Sequence, residues 1–129
     1  MQKDIDIIIY GATGFTGKLC VKYFQSLDTT VTWAMAGRNL TKLEKVAEEN
    51  QTKVEILIAD SDDEKALDNL TSRARVILST TGPFHRYGSK LVASCIKNHT
   101  HYVDITGENF WVKGLIEKHH KEASAKGIR

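Results

Sequence analysis

The chain has 129 residues, with 18 Lys and Arg against 16 Asp and Glu, 41% hydrophobic residues and a formal net charge of +2. This is the size and composition of one globular domain, with enough aliphatic mass to exclude intrinsic disorder. The mild, scattered charge argues against a nucleic-acid partner, and two cysteines, Cys20 and Cys95, are too few for a disulfide scaffold.

Ile5-Asp6-Ile7-Ile8-Ile9-Tyr10 is a nearly continuous β-branched run, as in a central strand buried on both faces. A glycine-rich turn follows, and then Gly17, Cys20, Val21, Phe24 and Leu27 recur at helical spacing. Val31 to Ala36 reads as a second strand. Asn39 is placed to cap a helix whose apolar face is Leu40, Leu43, Val46 and Ala47. Val54 to Ala59 forms a third strand. Ser61 and Glu64 then match a capping box before Leu67, Leu70 and Ala74. Val76 to Thr80 is the fourth strand, stopped by Gly82-Pro83. A helix from Ser89 turns Leu91, Val92, Cys95 and Ile96 inward. His101 to Ile105 is a short fifth strand. The last helix carries Phe110, Trp111, Leu115 and Ile116 and ends at Gly127.

Five β-α units in strict alternation predict an α/β fold, a doubly wound parallel sheet with helices on both faces. Gly127-Ile128-Arg129 stops where a sixth strand would begin. That predicts an N-terminal dinucleotide-binding domain, residues 1–129, of a longer chain; the alternative is a complete five-stranded domain of the flavodoxin type. The unpaired edge beside strand five leads to an expectation of self-association into a homo-oligomer. Ile7-Ile8-Ile9-Tyr10 is too short for a membrane span and no signal peptide is visible, so a cytoplasmic protein with reduced thiols is expected.

Gly11-Ala12-Thr13-Gly14-Phe15-Thr16-Gly17 lies between the first strand and the first helix, the context that makes a glycine motif chemically meaningful. Gly11 supplies the tight turn, Gly14 lets a pyrophosphate approach the backbone, and Gly17 lets the helix pack near the sheet. NAD-binding folds place an acid at the end of strand two, to bind the ribose 2′-OH. Here the chain has Gly37-Arg38-Asn39. A guanidinium suits a 2′-phosphate, which an acid would repel, so NADP(H) is expected over NAD(H); the alternative is that Arg38 is only a solvated loop residue. Asp60 ends strand three, where it could bond the adenine amino group or simply punctuate a turn. Thr81 and Gly82 end strand four beside the switch point, where they could approach the cofactor ribose or nicotinamide or simply form a strand-to-helix turn. His85, Arg86 and Tyr87 follow strand four, where they could face substrate, but they read first as a solvated loop. Tyr87 and Lys90 are three apart, so the tyrosine–lysine pair of short-chain dehydrogenases, four apart, is missing. No metal site and no catalytic acid or base is assigned.

Four stretches in order resemble one family. They are Tyr10 to Gly17; Trp33 to Asn39 with Lys42-Leu43; Thr81 to Phe84 with Tyr87-Gly88; and Tyr102 to Glu108. The chain is similar over essentially its whole length to the NADP-binding N-terminal domain of saccharopine dehydrogenase-like oxidoreductases, including trans-acting enoyl reductases. The resemblance implies a Rossmann domain followed by a second domain. It also implies a phosphate loop at Gly11, Thr13, Gly14, Phe15 and Thr16, and cofactor selection by Arg38. The glycine loop differs from that of true saccharopine reductases. The function expected is hydride transfer to or from an imine, alkene or carbonyl substrate. The alternatives are a non-catalytic NADP(H)-sensing or interaction module and a plain nucleotide-binding domain.

Overall fold

The computed structural model describes residues 3–129. Eleven elements follow one another: β1 (Ile5–Tyr10), α1 (Phe15–Ser26), β2 (Trp33–Gly37), α2 (Leu40–Glu49), β3 (Ile56–Ile58), α3 (Glu64–Thr71), β4 (Ala74–Ser79), α4 (Phe84–Tyr87), α5 (Ser89–Lys97), β5 (His101–Asp104) and α6 (Asn109–Lys126). The strands form one parallel sheet in the order β3-β2-β1-β4-β5. The chain leaves β1 toward one edge and later returns to its other side, which makes the β1/β4 boundary a topological switch point. This order is that of a dinucleotide fold and removes the flavodoxin alternative, in which β1 and β3 would be neighbours.

The run of isoleucines in β1 is buried because both faces are covered. Ile9 packs with Val21 of α1, Met35 of β2 and Leu43 and Val46 of α2. Ile8 and Tyr10 point the other way, into a cluster with Leu67 and Leu70 of α3, Ile77 of β4 and Leu91 and Cys95 of α5. Alternation across the pleat thus gives one strand two apolar layers. A third cluster joins α4, α5 and α6 through Phe84, Val92, Ile96, Trp111 and Ile128. Away from the strands' carboxyl ends, Asn98 Nδ2 donates to Thr71 Oγ1 at 2.9 Å and to Asp68 Oδ1 at 3.2 Å, tying α5 to α3.

Several boundaries differ from the expectation. β2 starts at Trp33; just before it, Thr32 O accepts the Asp6 and Ile7 N–H groups, and the Thr32 N–H and hydroxyl bond the Asp6 carboxylate. β3 shortens to Ile56–Ile58 at the sheet edge. Ala74, expected on the third helix, opens β4. Ser61 and Glu64 form no capping box. Asp60 Oδ1 accepts the Asp62 N–H at 2.9 Å, and Asp63 caps α3 by accepting the Ala66 N–H at 3.0 Å. The extra turn moves the helix start, so Glu64 becomes its first residue. Leu40, Phe110 and Ile116, expected on core faces, are exposed, and Cys20 is only half-buried. His85 to Tyr87 belong to the short helix α4 and not to a loop. Asn39 caps α2 through Lys42 N–H, and Gly127 ends α6 at φ +68°, both as expected.

Candidate functional site

The site is built where β1, β2, β3 and β4 end side by side. Gly11 N–H and Ala12 N–H both donate to Ala36 O, at 3.0 and 3.2 Å, and Thr80 N–H donates to Tyr10 O at 3.0 Å. These bonds fix the turn after β1 between the ends of its two neighbours. Gly11 has φ +85°, a left-handed conformation that favours glycine. Gly17 permits a different contact: a Cβ there would lie 2.0 Å from Gly11 O, so α1 starts directly against the turn. A Cβ on Gly14 would meet only Gly11 O, at 3.5 Å, and otherwise open space.

Gly14 is also the cap residue of α1 and has no side chain to satisfy the first amides of the helix. Those amides carry the positive end of the helix dipole, and no acidic side chain occupies the first turn. The arrangement suits a phosphate group.

A cleft of about 280 Å³ opens above this turn, lined by Tyr10, Gly11, Thr13, Gly14, Gly37, Arg38, Ser61, Thr80, Thr81, Gly82 and Tyr87. Of the residues singled out in the sequence, Gly11, Thr13, Gly14, Arg38, Thr81 and Gly82 are therefore brought together. Phe15 and Thr16 form the first turn of α1 but do not line the cleft, and Phe15 is 84% exposed. Asp60 does not line it either, since one carboxylate oxygen closes the turn onto Asp62; its neighbour Ser61 does.

Arg38 is exposed and forms no ion pair among the described residues, so its guanidinium is available to an anion. Tyr10 forms the floor. Its hydroxyl donates to Ala59 O at 3.0 Å, and burial pushes its pKa up to about 12. Thr81 Oγ1 is buried without a hydrogen-bond partner among the described residues. A buried hydroxyl of this kind costs free energy until something bonds to it. With the open amide turn at Gly14 and the unpaired cation at Arg38, it fits a phosphorylated dinucleotide.

Sequence reasoning missed Tyr10, Gly37, Ser61 and Thr80 as lining residues, and for Tyr87 it favoured a solvated loop over the place facing the site that the structure gives it. It also gave no role to Glu108. The Glu108 carboxylate accepts the N–H of Phe84 at 2.6 Å and of His85 at 3.1 Å, and it pairs with the His85 ring. Burial alone would raise its pKa; the His85 ring and the two backbone amides outweigh that and hold it down at about 2. No local signal announces a bond spanning 24 residues.

A larger, mostly apolar cavity of about 700 Å³ lies between α5, β5 and α6, and no residue of the glycine turn reaches it. Beside it, Arg129 O accepts the Tyr102 N–H at 2.8 Å. One rung of the outer edge of β5, expected to be unpaired, is therefore taken. Among the described residues, no helix is long and apolar enough to cross a membrane.

A glycine turn at the switch point of a β3-β2-β1-β4-β5 parallel sheet defines a Rossmann-type dinucleotide-binding domain. The family model described as "Saccharopine dehydrogenase NADP binding domain" matches residues 7–129. The chain belongs to that family and is an NADP(H)-binding domain. It is 38% identical over 131 residues to a trans-acting enoyl reductase of Mycobacterium leprae, covering 99% of this chain and 31% of the relative. The trans-acting enoyl reductase of Mycobacterium ulcerans is 37% identical with the same coverage. The chain thus spans about a third of the length of these curated relatives. Among solved structures, the saccharopine dehydrogenase (L-Glu forming) of Saccharomyces cerevisiae superposes with a TM-score of 0.75 at 20% identity, over 96% of this chain and 26% of that one. A short-chain dehydrogenase/reductase from Vibrio parahaemolyticus gives 0.70 at 15% identity, over 95% and 80%. At these identities both show the fold alone.

Proposed function

We propose that this chain is the cofactor domain of a longer NADPH-dependent oxidoreductase that reduces a carbon–carbon double bond. One observation carries the cofactor part. The open turn at Gly14, the buried unpartnered Thr81 hydroxyl and the exposed Arg38 guanidinium all border one cleft at the switch point. The choice of an alkene among alkene, imine and carbonyl substrates is supported by the relatives at 37–38% identity, which are named enoyl reductases.

In this reading Gly11, Thr13 and Gly14, with the first amides of α1 at Phe15 and Thr16, hold the pyrophosphate. Arg38 would hold the ribose 2′-phosphate through charge-assisted bonds, and Ser61 lines the same cleft. Tyr10 lines the cleft and, kept neutral by burial, donates its hydroxyl to Ala59 O. Thr81 and Gly82 line the same cleft, where a bound cofactor would give the Thr81 hydroxyl the partner it lacks. When bound, NADPH supplies a hydride from its nicotinamide C4 to the electrophilic carbon of the substrate. The substrate pocket and the proton donor belong to a second domain, in keeping with the third of each relative that this chain spans. Cys20 and Cys95, both free, suit the reducing cytoplasm.

The test uses the full-length protein. NADPH oxidation should proceed with an enoyl thioester and much more slowly with imines or simple carbonyls. Residues 1–129 alone should bind NADPH without turnover. Robust turnover by those residues would move the catalytic site into this domain.

A further inference from the structure

α4 is a four-residue helix whose cap is Pro83, and Pro83 offers no side-chain hydrogen bond. Its first amides therefore need an acceptor from elsewhere. Glu108 provides it: Oε2 takes the Phe84 N–H, and Oε1 takes the His85 N–H and faces His85 Nδ1. The carboxylate is itself braced. Thr106 Oγ1 donates to Oε2 at 3.3 Å, Glu108 N–H donates to Thr106 Oγ1 at 3.0 Å, and Thr106 N–H donates to Asp104 Oδ1 at 2.9 Å. Tyr102 OH donates to the other Asp104 oxygen at 2.7 Å. An unbroken series of bonds thus runs from β5 to the amide end of α4.

The segment so held is a wall of the cleft, since Thr81, Gly82 and Tyr87 all line it. From behind, Trp111 stacks on Phe84 at 6.0 Å between ring centroids. A Cβ on Gly88 would meet the same indole at 2.7 Å, so the wall has no slack on that side. Glu108 itself does not line the cleft.

We propose that Glu108 is a positioning residue for the cofactor: it clamps the amide end of α4 to the end of β5 and so holds the Thr81–Tyr87 wall against bound NADP(H). This inference rests on placing the cofactor in the 280 Å³ cleft.

The chain has two tryptophans, and Trp33 packs on Phe24 at the start of β2, so in a Trp33→Phe background Trp111 alone reports how α4 is seated. In that background NADPH affinity and Trp111 emission are measured for the parent, Glu108→Ala, Glu108→Gln and Asn98→Ala. Asn98→Ala is the control, because it breaks α3–α5 bonds remote from the cleft. Glu108→Ala should weaken NADPH about tenfold and shift Trp111 emission before any cofactor is added. Glu108→Gln keeps one oxygen acceptor for an amide and should weaken it about threefold. Asn98→Ala should lower the melting temperature and leave affinity within about twofold. If Glu108→Ala does not fold, the glutamine variant decides. Unchanged affinity and emission in Glu108→Gln, or an equal loss in Asn98→Ala, would overturn the clamp and leave the cofactor site standing. A parent protein that does not bind NADPH would instead overturn the cofactor site, and with it the role assigned to Glu108.

Discussion

Gly11 and Thr81 meet where β1 and β4 end side by side: a Cβ on Gly11 would stand 2.2 Å from Thr81 Oγ1 and 3.2 Å from Thr81 N. The missing side chain is what lets the two strand ends share one cleft. With φ at +85°, any other residue there would also be strained. Gly11→Ala should therefore destabilise the domain by about 1–2 kcal/mol from backbone strain alone. It should also turn the Thr81 hydroxyl out of its place at the cleft. Denaturant unfolding checks the first effect and NADPH titration the second.

Gly14 and Gly17 should separate cleanly although they are three residues apart. A Cβ on Gly14 would make only an ordinary contact with Gly11 O, at 3.5 Å, so Gly14→Val should fold with near-normal stability and lose NADPH binding, because the branched side chain occupies the pyrophosphate position. Gly17→Val should fail earlier, since even its Cβ would overlap Gly11 O at 2.0 Å. Circular dichroism and calorimetry on the two variants distinguish lost binding from lost folding. Unchanged affinity in folded Gly14→Val would remove the turn from the site.

Arg38→Ala should weaken NADPH by about 1.5–3 kcal/mol, roughly ten- to a hundredfold, through loss of a charge-assisted contact. NADH lacks the 2′-phosphate and should be nearly indifferent to the change. An equal loss for both cofactors would mean that Arg38 supports the fold and does not read the phosphate.

The Glu108 carboxylate makes stability pH-dependent at the acid end. Its folded pKa, about 2, lies below the ordinary value of 4.5, so the native state favours the ionised form. That contribution is complete above about pH 4.5 and is lost as the pH falls toward 2. Glu108→Gln should flatten the stability profile across this window and leave its shape near neutrality unchanged. Melting temperatures recorded between these limits test it, and an unchanged acid slope in the variant would contradict the assignment.

The sheet was legible because its signals are local. Ile5 to Tyr10 carries the mark of a strand buried twice over, and the glycines that follow sit where the chain must reverse. Strand order was not legible in this way, because the same alternation serves the flavodoxin order as well, and only the pairing of β1 with β2 and β4 decides between them. What sequence alone missed is long-range or competitive. Ser61 matches a cap, but the Asp60 carboxylate closes a turn first and hands the cap to Asp63, which leaves Ser61 on the cleft. Tyr87 looked solvated because α4 has only four residues and its acceptor is 24 positions away. Phe110 and Ile116 follow helical spacing, yet α6 buries only Trp111 fully. Glu108 was legible as part of a family motif, but its bonds to Phe84 and His85 exist only once β4 and β5 lie side by side.

The most direct test of the account is a calorimetric titration of the wild-type chain with NADPH and with NADH at low and high salt. Saturable one-to-one binding of NADPH is expected, tighter than NADH by roughly ten- to a hundredfold, with a gap that narrows as salt screens the Arg38 contact. Equal affinity for the two cofactors, or no binding of either, would contradict it.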